Sequence, residues 1–499
     1  MKLTELIKGL KLNRITGDTG VEITGITYNS RNVMPGTLFV AIKGLKTDGH
    51  NFITDAVKAG AKALIVENNP VDISPPLSMP VIEVTDSRMA LAQVAINYYR
   101  NPAKEIKLIG VTGTNGKTTT TYLIRSILEG CNNKVGVIGT VSYYNGNKTS
   151  PAEHTTPEAV EFQGLLRSMV DNGCKFVVTE VSSHALMLKR VLGTEFETAV
   201  FTNLTQDHLD FHTDMEDYFQ AKVLLFRNMS SQKKVIINID DPYGKRLMGM
   251  TKGIVLSYGI NSDADIQGRD VSLKMDGIEF RVRTPAGDIH IKSGLVGIYN
   301  VYNILASIGV ALSQDIPPDK ISAGISSLIS VPGRFEKIDS GMGFVIVVDY
   351  AHTENALRLL LEAAQGFTKR RIITLFGCGG DRDRGKRPLM GKAAMELSDY
   401  VIVTSDNPRT ENAEKIIEGV VTGIKDAMKS GKIRASGYKV IPDRKTAIEE
   451  AINIAKTGDL VVIAGKGHEC YQIIGNEKFQ FDDREEARKA IMRRRNKLS

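Results

Sequence analysis

Gly110-Val-Thr-Gly-Thr-Asn-Gly-Lys-Thr-Thr119 closes an apolar run, Lys107–Val111, and opens an amphipathic segment of helical length. Gly-Lys-Thr between a strand and a helix is the context of a phosphate-binding loop. Glycines let backbone amides turn inward around phosphate oxygens, and the start of the helix adds positive partial charge. The expected cradle is Gly113, Thr114, Asn115, Gly116, Lys117, Thr118 and Thr119. Lys117 would reach the outer phosphates and the Thr118 hydroxyl would ligate Mg²⁺. The common spacing places a glycine where Val111 stands; here glycines recur every third residue, at 110, 113 and 116.

Working outward, apolar runs recur at Val135–Ile138, Phe176–Thr179, Ala199–Thr202, Val235–Ile239 and Ile254–Ser257, several of them separated by helix-length segments. That alternation predicts a mostly parallel sheet covered on both faces. Period-2 alternation over residues 270–292 predicts a hairpin insert. Val331-Pro-Gly-Arg-Phe335 reads as a linker to a second α/β series at Phe344–Val348, Arg371–Phe376, Tyr400–Val403, Tyr438–Ile441 and Leu460–Ala464. Before the loop, Thr37–Ile42, Ala63–Val66 and Val81–Val84 read as short strands, and Asn97–Pro102 as a helix end. The 499 residues are enough for roughly three domains. The expected architecture is α/β throughout: a small domain over 1–100, a central P-loop sheet over 101–331, and a Rossmann-like domain over 332–499.

Composition excludes other classes. Lys and Arg number 64 against 57 Asp and Glu, a mild net charge of +7. There is no Trp and only 6% aromatic residues, and no basic stripe carries interleaved rings, so a nucleic-acid surface is not expected. A mild positive balance suits small anionic substrates. The basic tail Arg484–Lys497 reads as the solvated face of a terminal helix. Cys131, Cys174, Cys378 and Cys470 show neither a C-x-x-C nor ligand spacing, which fits a reducing compartment. Met1–Leu10 lacks the apolar block of a signal peptide, and the apolar runs fall far short of a membrane span. A soluble, cytoplasmic protein is expected.

Parallel strands deliver polar residues to their carboxyl edge, where ligands bind. Glu180 follows Phe176–Thr179, and His208 lies in the segment after Ala199–Thr202; beside a phosphate loop both are candidate Mg²⁺ ligands. Lys222, in Asp217–Phe226, reads from its residues alone as a surface lysine of an amphipathic helix. The later strands end in Asp349-Tyr-Ala-His352, in a loop holding Arg382, in Asp406-Asn-Pro-Arg409, and in Gly465-Lys-Gly-His-Glu469. Two arginines and a glutamate at one edge would suit a zwitterion, since Arg pairs with carboxylate and Glu accepts from ammonium.

This ordered set resembles the Mur ligases of peptidoglycan synthesis along nearly the whole chain. The match also takes in Ser30-Arg31, Pro35–Ala41, His154-Thr-Thr-Pro157, Asp207-His-Leu-Asp210, Tyr299–Asn303 and Gly333-Arg-Phe-Glu336. The resemblance implies ATP-dependent amide bond formation on a UDP-N-acetylmuramoyl dipeptide through an acyl phosphate, with Mg²⁺. It implies that Lys222 carries a CO₂-derived carbamate and ligates metal, with Thr118 and Glu180 at one metal and His208 at another. Lys117, Lys222, His208 and Glu180 form the catalytic set it implies. Asn303, Arg334 and Asp349 match nucleotide contacts. Ser30 matches a UDP contact, and Thr155, Thr156, Ser182 and Arg190 match residues holding the muramoyl dipeptide; Leu188 stands where many members have glutamine.

Asp406, Asn407, Pro408 and Arg409 resemble the form of the family that adds meso-2,6-diaminopimelate, with Arg382, Gly465 and Glu469 matching its other amino-acid contacts. Diaminopimelate is lysine with an extra carboxylate, so Arg409 is expected to have a partner only with diaminopimelate. The expected partners are these small molecules and no nucleic acid or membrane, and a monomer is expected. Two alternatives stand beside this reading: a sister ligase adding L-lysine or acting at another stem-peptide step, and a nucleotide-binding switch that forms no peptide bond.

Overall fold

The computed structural model describes residues 1–44, 47–67, 79–274, 276–368 and 370–498. They fall into two compact units. One holds Met1–Gly110, Asn133–Ala199 and Arg227–Lys233; the other holds Val111–Asn132, Val200–Phe226 and Lys234–Ser499.

In the first unit a five-stranded sheet runs in the order Leu12–Thr16, Val81–Val84, Ala63–Glu67, Thr37–Val40, Gly25–Thr27. Only the edge strand Leu12–Thr16 is antiparallel. Leu38, Val40, Ile65 and Ile82 are buried against Leu91, Val94 and Ala95 of the helix Ser87–Tyr98. Each such leucine, isoleucine or valine contributes roughly 1.5–3 kcal/mol by leaving water. The Asp86 carboxylate caps that helix by accepting from Met89 N at 2.9 Å. The helix ends at Tyr98, before Arg100 and Asn101, which both have positive φ, and the proline at 102 disfavours helical backbone at Asn101. The same unit holds Phe176–Glu180 in parallel register with Val135–Ile138, Phe176 opposite Val135. Two short antiparallel strands, Ser142–Tyr144 and Thr149–Pro151, extend this ladder.

In the second unit Lys234–Asn238 and Ile254–Gly259 pair in parallel. The expected hairpin over 270–292 is part of a longer antiparallel meander: Ile266–Lys274, Gly277–Arg283 and Ile289–Ser293. The apolar helix Ile298–Ser313 packs on these strands and on the helix Lys117–Glu129 that follows the loop. A six-stranded sheet closes the unit, ordered Glu336–Asp339, Val345–Asp349, Leu460–Ala464, Ile372–Phe376, Tyr400–Val403, Tyr438–Val440. All its pairs are parallel except the first. Asp349, Gly377, Thr404 and Gly465 thus emerge at one carboxyl edge. The terminal helix Asp483–Leu498 buries Ala487, Ala490 and Ile491 on this sheet and leaves its basic residues largely outward. No helix among the described residues is long and apolar enough to cross a membrane.

Candidate active site

The phosphate loop is held by its neighbours in the second unit. Thr114 N donates to Asn203 O at 2.9 Å, and Asn115 N to Asn203 Oδ1 at 2.9 Å. The Thr202 hydroxyl donates to Asn115 O at 2.7 Å. Gly113 has φ +147°, and a Cβ there would stand 1.8 Å from Thr202 Oγ1; at Gly116, φ +89°, a Cβ would meet Asn303 Oδ1 at 2.2 Å. Both positions therefore require glycine. Asn303 holds the start of the helix: its Nδ2 donates to Asn300 Oδ1 at 2.9 Å, and its Oδ1 accepts from the Thr120 hydroxyl at 3.4 Å.

Lys117 Nζ donates to the carbonyls of Gly113 and Thr114 at 2.9 and 2.8 Å. Lys222 Nζ donates to the same Gly113 carbonyl at 3.0 Å and lies 4.4 Å from the centre of the Tyr218 ring. Here the reading from residues alone fails. Lys222 is no surface lysine; only 1% of it is exposed, on the buried face of the helix Met215–Arg227. Burial, and then the Lys117 charge, hold its ammonium far below the ordinary lysine range.

Thr118 is buried, and its hydroxyl accepts from Arg334 Nη2 at 3.1 Å. The Arg334 guanidinium lies 4.6 Å from the centre of the Tyr350 ring. Asp349 anchors this linker segment, accepting from Phe335 N and Ala351 N at 2.7 Å each. Burial raises its carboxyl above the usual range, against the pull of Arg334. His208 has φ +56°, meets the Tyr218 ring edge-on at 5.8 Å and lies 3.5 Å from Asp207 Oδ2. Asp207 also faces His352 at 3.8 Å and Lys386 at 3.7 Å. Burial works against its charged form, but His208, His352 and Lys386 hold the Asp207 carboxyl well below its usual range. Nothing in the linear spacing marks Lys386, which joins this group only through the fold.

The first unit gathers a second set. Glu180 is buried, and its two carboxylate oxygens accept from Thr140 N and the Thr140 hydroxyl at 2.9 Å each. Thr140 Oγ1 lies 3.1 Å from Thr155 Oγ1. The Thr156 hydroxyl donates to Glu180 O at 2.7 Å and accepts from Ser182 N at 3.1 Å. Ser182 caps the helix Ser183–Met187. Arg190 Nη1 donates to Thr156 O at 2.9 Å, and its Nε faces Glu158 at 3.4 Å. Glu180, Thr155, Thr156, Ser182 and Arg190 therefore form one network. Ser30 opens the short helix Ser30–Asn32, outside it. Leu188 presents its carbonyl, at 3.4 Å, to Arg88.

The loops at the edge of the last sheet meet one another. Arg409 has a partner inside the protein: its Nη1 donates to Gly380 O at 2.7 Å, in a residue with φ +52°. A carbonyl satisfies a donor, while the nearby Asp406 carboxylate supplies an opposite charge. Glu469 is not left open for a ligand ammonium alone; its Oε2 accepts from Asn407 Nδ2 at 2.9 Å and from Lys466 Nζ at 3.1 Å. Lys466, between Gly465 and Glu469, has no exposed side-chain surface, which nothing in its local sequence marks. Burial works against the charged form of Asp406, but Lys466 and then Arg444 keep its carboxyl below the usual range. Arg382 is exposed and donates to Asp381 O at 2.9 Å. The peptide of Pro408 packs against Gly380. A hairpin, Tyr471–Ile474 and Glu477–Gln480, borders these loops; Gln472 Nε2 donates to Asp406 O at 2.6 Å.

Comparison with known proteins fits this geometry. Residues 22–99 match the Mur ligase family catalytic domain, 111–311 the Mur ligase middle domain, and 333–467 the Mur ligase glutamate ligase domain. The chain is 45% identical over 489 residues to the UDP-N-acetylmuramoyl-L-alanyl-D-glutamate--2,6-diaminopimelate ligase of Syntrophomonas wolfei, covering 98% of each chain. It is 44% identical to the ligase of the same name from Geobacter metallireducens, again over 98% of each. A solved structure of a ligase of that name superposes with a TM-score of 0.67 at 31% identity, covering 99% of both chains. With its three successive α/β domains, the chain belongs to the Mur ligase family.

Proposed function

We propose that this protein is an ATP-dependent ligase that joins meso-2,6-diaminopimelate to UDP-N-acetylmuramoyl-L-alanyl-D-glutamate in the cytoplasmic synthesis of peptidoglycan precursor. The observation that carries the reading is the pairing of a buried phosphate loop with a charged amino-acid site holding Arg409, Asp406 and Glu469. Residues 1–100 take the UDP end, 101–331 the ATP and 332–499 the amino acid. The substrate carboxylate is phosphorylated to an acyl phosphate, which the amine of the amino acid then attacks. Lys117 neutralises charge gathering on the γ-phosphate, worth a large part of the barrier in such transfers. Arg334 and Asp349 orient the nucleotide from the linker, and Asn303 from the helix behind the loop. Thr155, Thr156, Ser182 and Arg190 hold the muramoyl dipeptide, and Ser30 the UDP. Arg382, Asn407, Pro408 and Gly465 shape the amino-acid site around Arg409.

The donor set suits Mg²⁺. Thr118 in the second unit and Glu180 in the first each offer oxygens of the kind a hard divalent ion takes, whereas the imidazole of His208 is a softer donor. Lys222 fits as a ligand once its amine has taken up CO₂ as a carbamate. Burial disfavours the ammonium form of Lys222, whose nitrogen is held in place by the Gly113 carbonyl, and the unprotonated amine is the form that reacts with CO₂. When bound, Mg²⁺ would screen the phosphate charges. The protein works as a monomer in this reading. The test is direct: purified protein given ATP, Mg²⁺, UDP-muramoyl dipeptide and diaminopimelate should release phosphate and form the tripeptide by mass. Phosphate release without a new amide, or none at all, refutes the reading and favours a nucleotide-binding switch.

A further inference from the structure

Lys466 follows the strand Leu460–Ala464 and is fully enclosed. Its ammonium has three oxygens around it: Asp406 Oδ1 at 3.3 Å, Asn407 Oδ1 at 3.0 Å and Glu469 Oε2 at 3.1 Å. The Tyr471 ring centre lies 5.6 Å away. Three N–H donors meet three acceptors, so the group is complete without a ligand. It also fixes the surrounding loops, because Asn407 Oδ1 accepts from Ile473 N at 3.0 Å.

The charges can be assigned in turn. Arg444, fully enclosed, is matched by Asp483 through two bonds of 2.7 Å and stands as a neutral pair. Among the side chains that are not exposed, that leaves two carboxylates, Asp406 and Glu469, against two cations, Lys466 and Arg409; Arg382 is exposed and water screens its charge. The site is balanced before any ligand enters. A ligand with as many carboxylates as ammonium groups preserves the balance; one with a surplus ammonium leaves an uncompensated buried cation, which is costly. Diaminopimelate and lysine differ by that one carboxylate.

We infer that Lys466 is a specificity-determining residue: acting through Glu469 and Asp406, it supplies the internal counter-cation that tunes the site to a zwitterionic diamino acid and against one ending in a lone ammonium. This rests on the proposed diaminopimelate ligase reading. It adds to Arg409 a residue that need not touch the distinguishing carboxylate, and so excludes lysine partly by repulsion.

Lys466→Met and Lys466→Gln should be assayed with diaminopimelate and with L-lysine, alongside the wild type. The ratio of kcat/KM for diaminopimelate over lysine should fall by about tenfold or more in both variants, while KM for ATP stays within about twofold. An unchanged ratio, in a wild type that prefers diaminopimelate, overturns the inference. A wild type that does not ligate diaminopimelate overturns the function reading instead. If both variants lack a cooperative melting transition, Lys466 is a structural residue only, and the inference falls as well.

Discussion

Lys117 and Lys222 donate to one acceptor, the Gly113 carbonyl, at 2.9 and 3.0 Å. Burial, and then the Lys117 charge beside it, lower the Lys222 ammonium far below the ordinary lysine range. The arrangement sets two lysines side by side at the phosphate loop, one of them destabilised as a cation.

Lys222→Ala should therefore abolish phosphate release while leaving the fold intact, and short carboxylates such as acetate should restore part of it. Full activity of the variant would show that the amine carries no function. Lys222→Arg buries a charge that cannot be neutralised and should cost several kcal/mol of stability, on the order of 3, read as a lowered denaturation midpoint.

Gly113→Ala places a methyl against Thr202 Oγ1, where a Cβ would come to 1.8 Å. The loop must shift, and KM for ATP should rise by about tenfold or more. Diaminopimelate KM should move far less. Equal changes in the two would mean that the loop does not act on the nucleotide alone.

Arg409→Ala should raise KM for diaminopimelate on the order of 30-fold, matching about 2 kcal/mol for a lost charged contact, with little change in KM for ATP. The Gly380 carbonyl already satisfies one N–H of this arginine, which places the effect at the low end for such pairs. Equal shifts for both substrates would refute the role.

Breaking the enclosed pair should be severe. Asp483→Ala leaves Arg444 buried without its partner and should destabilise the protein by about 3–5 kcal/mol, whereas Arg444→Met with Asp483→Leu should recover most of that. Calorimetric melting of the single and double variants decides the point.

Acid should weaken the amino-acid site. The Asp406 carboxyl is held below its ordinary range, so the folded protein keeps it charged more readily than the unfolded chain does. Its contribution is complete above the unfolded value, about pH 4, and is lost as pH falls toward the folded value. Unfolding free energy should thus fall more steeply with acid in the wild type than in Asp406→Asn; parallel slopes would contradict it.

Much of this was readable in the chain. The runs Ile372–Phe376 and Leu460–Ala464 are buried at every position, and continuous apolar stretches of that length declare inner strands. The strand Leu12–Thr16 was not readable, because all five residues are exposed and its pairing with Val81–Val84 alone makes it a strand. Lys222 lies on a helix whose pattern also admits an outward lysine, and only packing against Tyr218 and Gly113 settles its side. Lys466 and Asp406 are 60 residues apart, and no local spacing announces that such a pair will meet. The phosphate loop was legible because its chemistry is contiguous; the amino-acid site was legible only as separate loops, without the lysine and the Arg444–Asp483 pair that fix its charge.

The most direct test of the central claim is a side-by-side measurement of kcat/KM for meso-diaminopimelate and for L-lysine, with ATP and UDP-muramoyl dipeptide saturating. The charge balance around Arg409, Lys466, Asp406 and Glu469 predicts a preference for diaminopimelate of about a hundredfold or more. Equal values, or a preference for lysine, would contradict it.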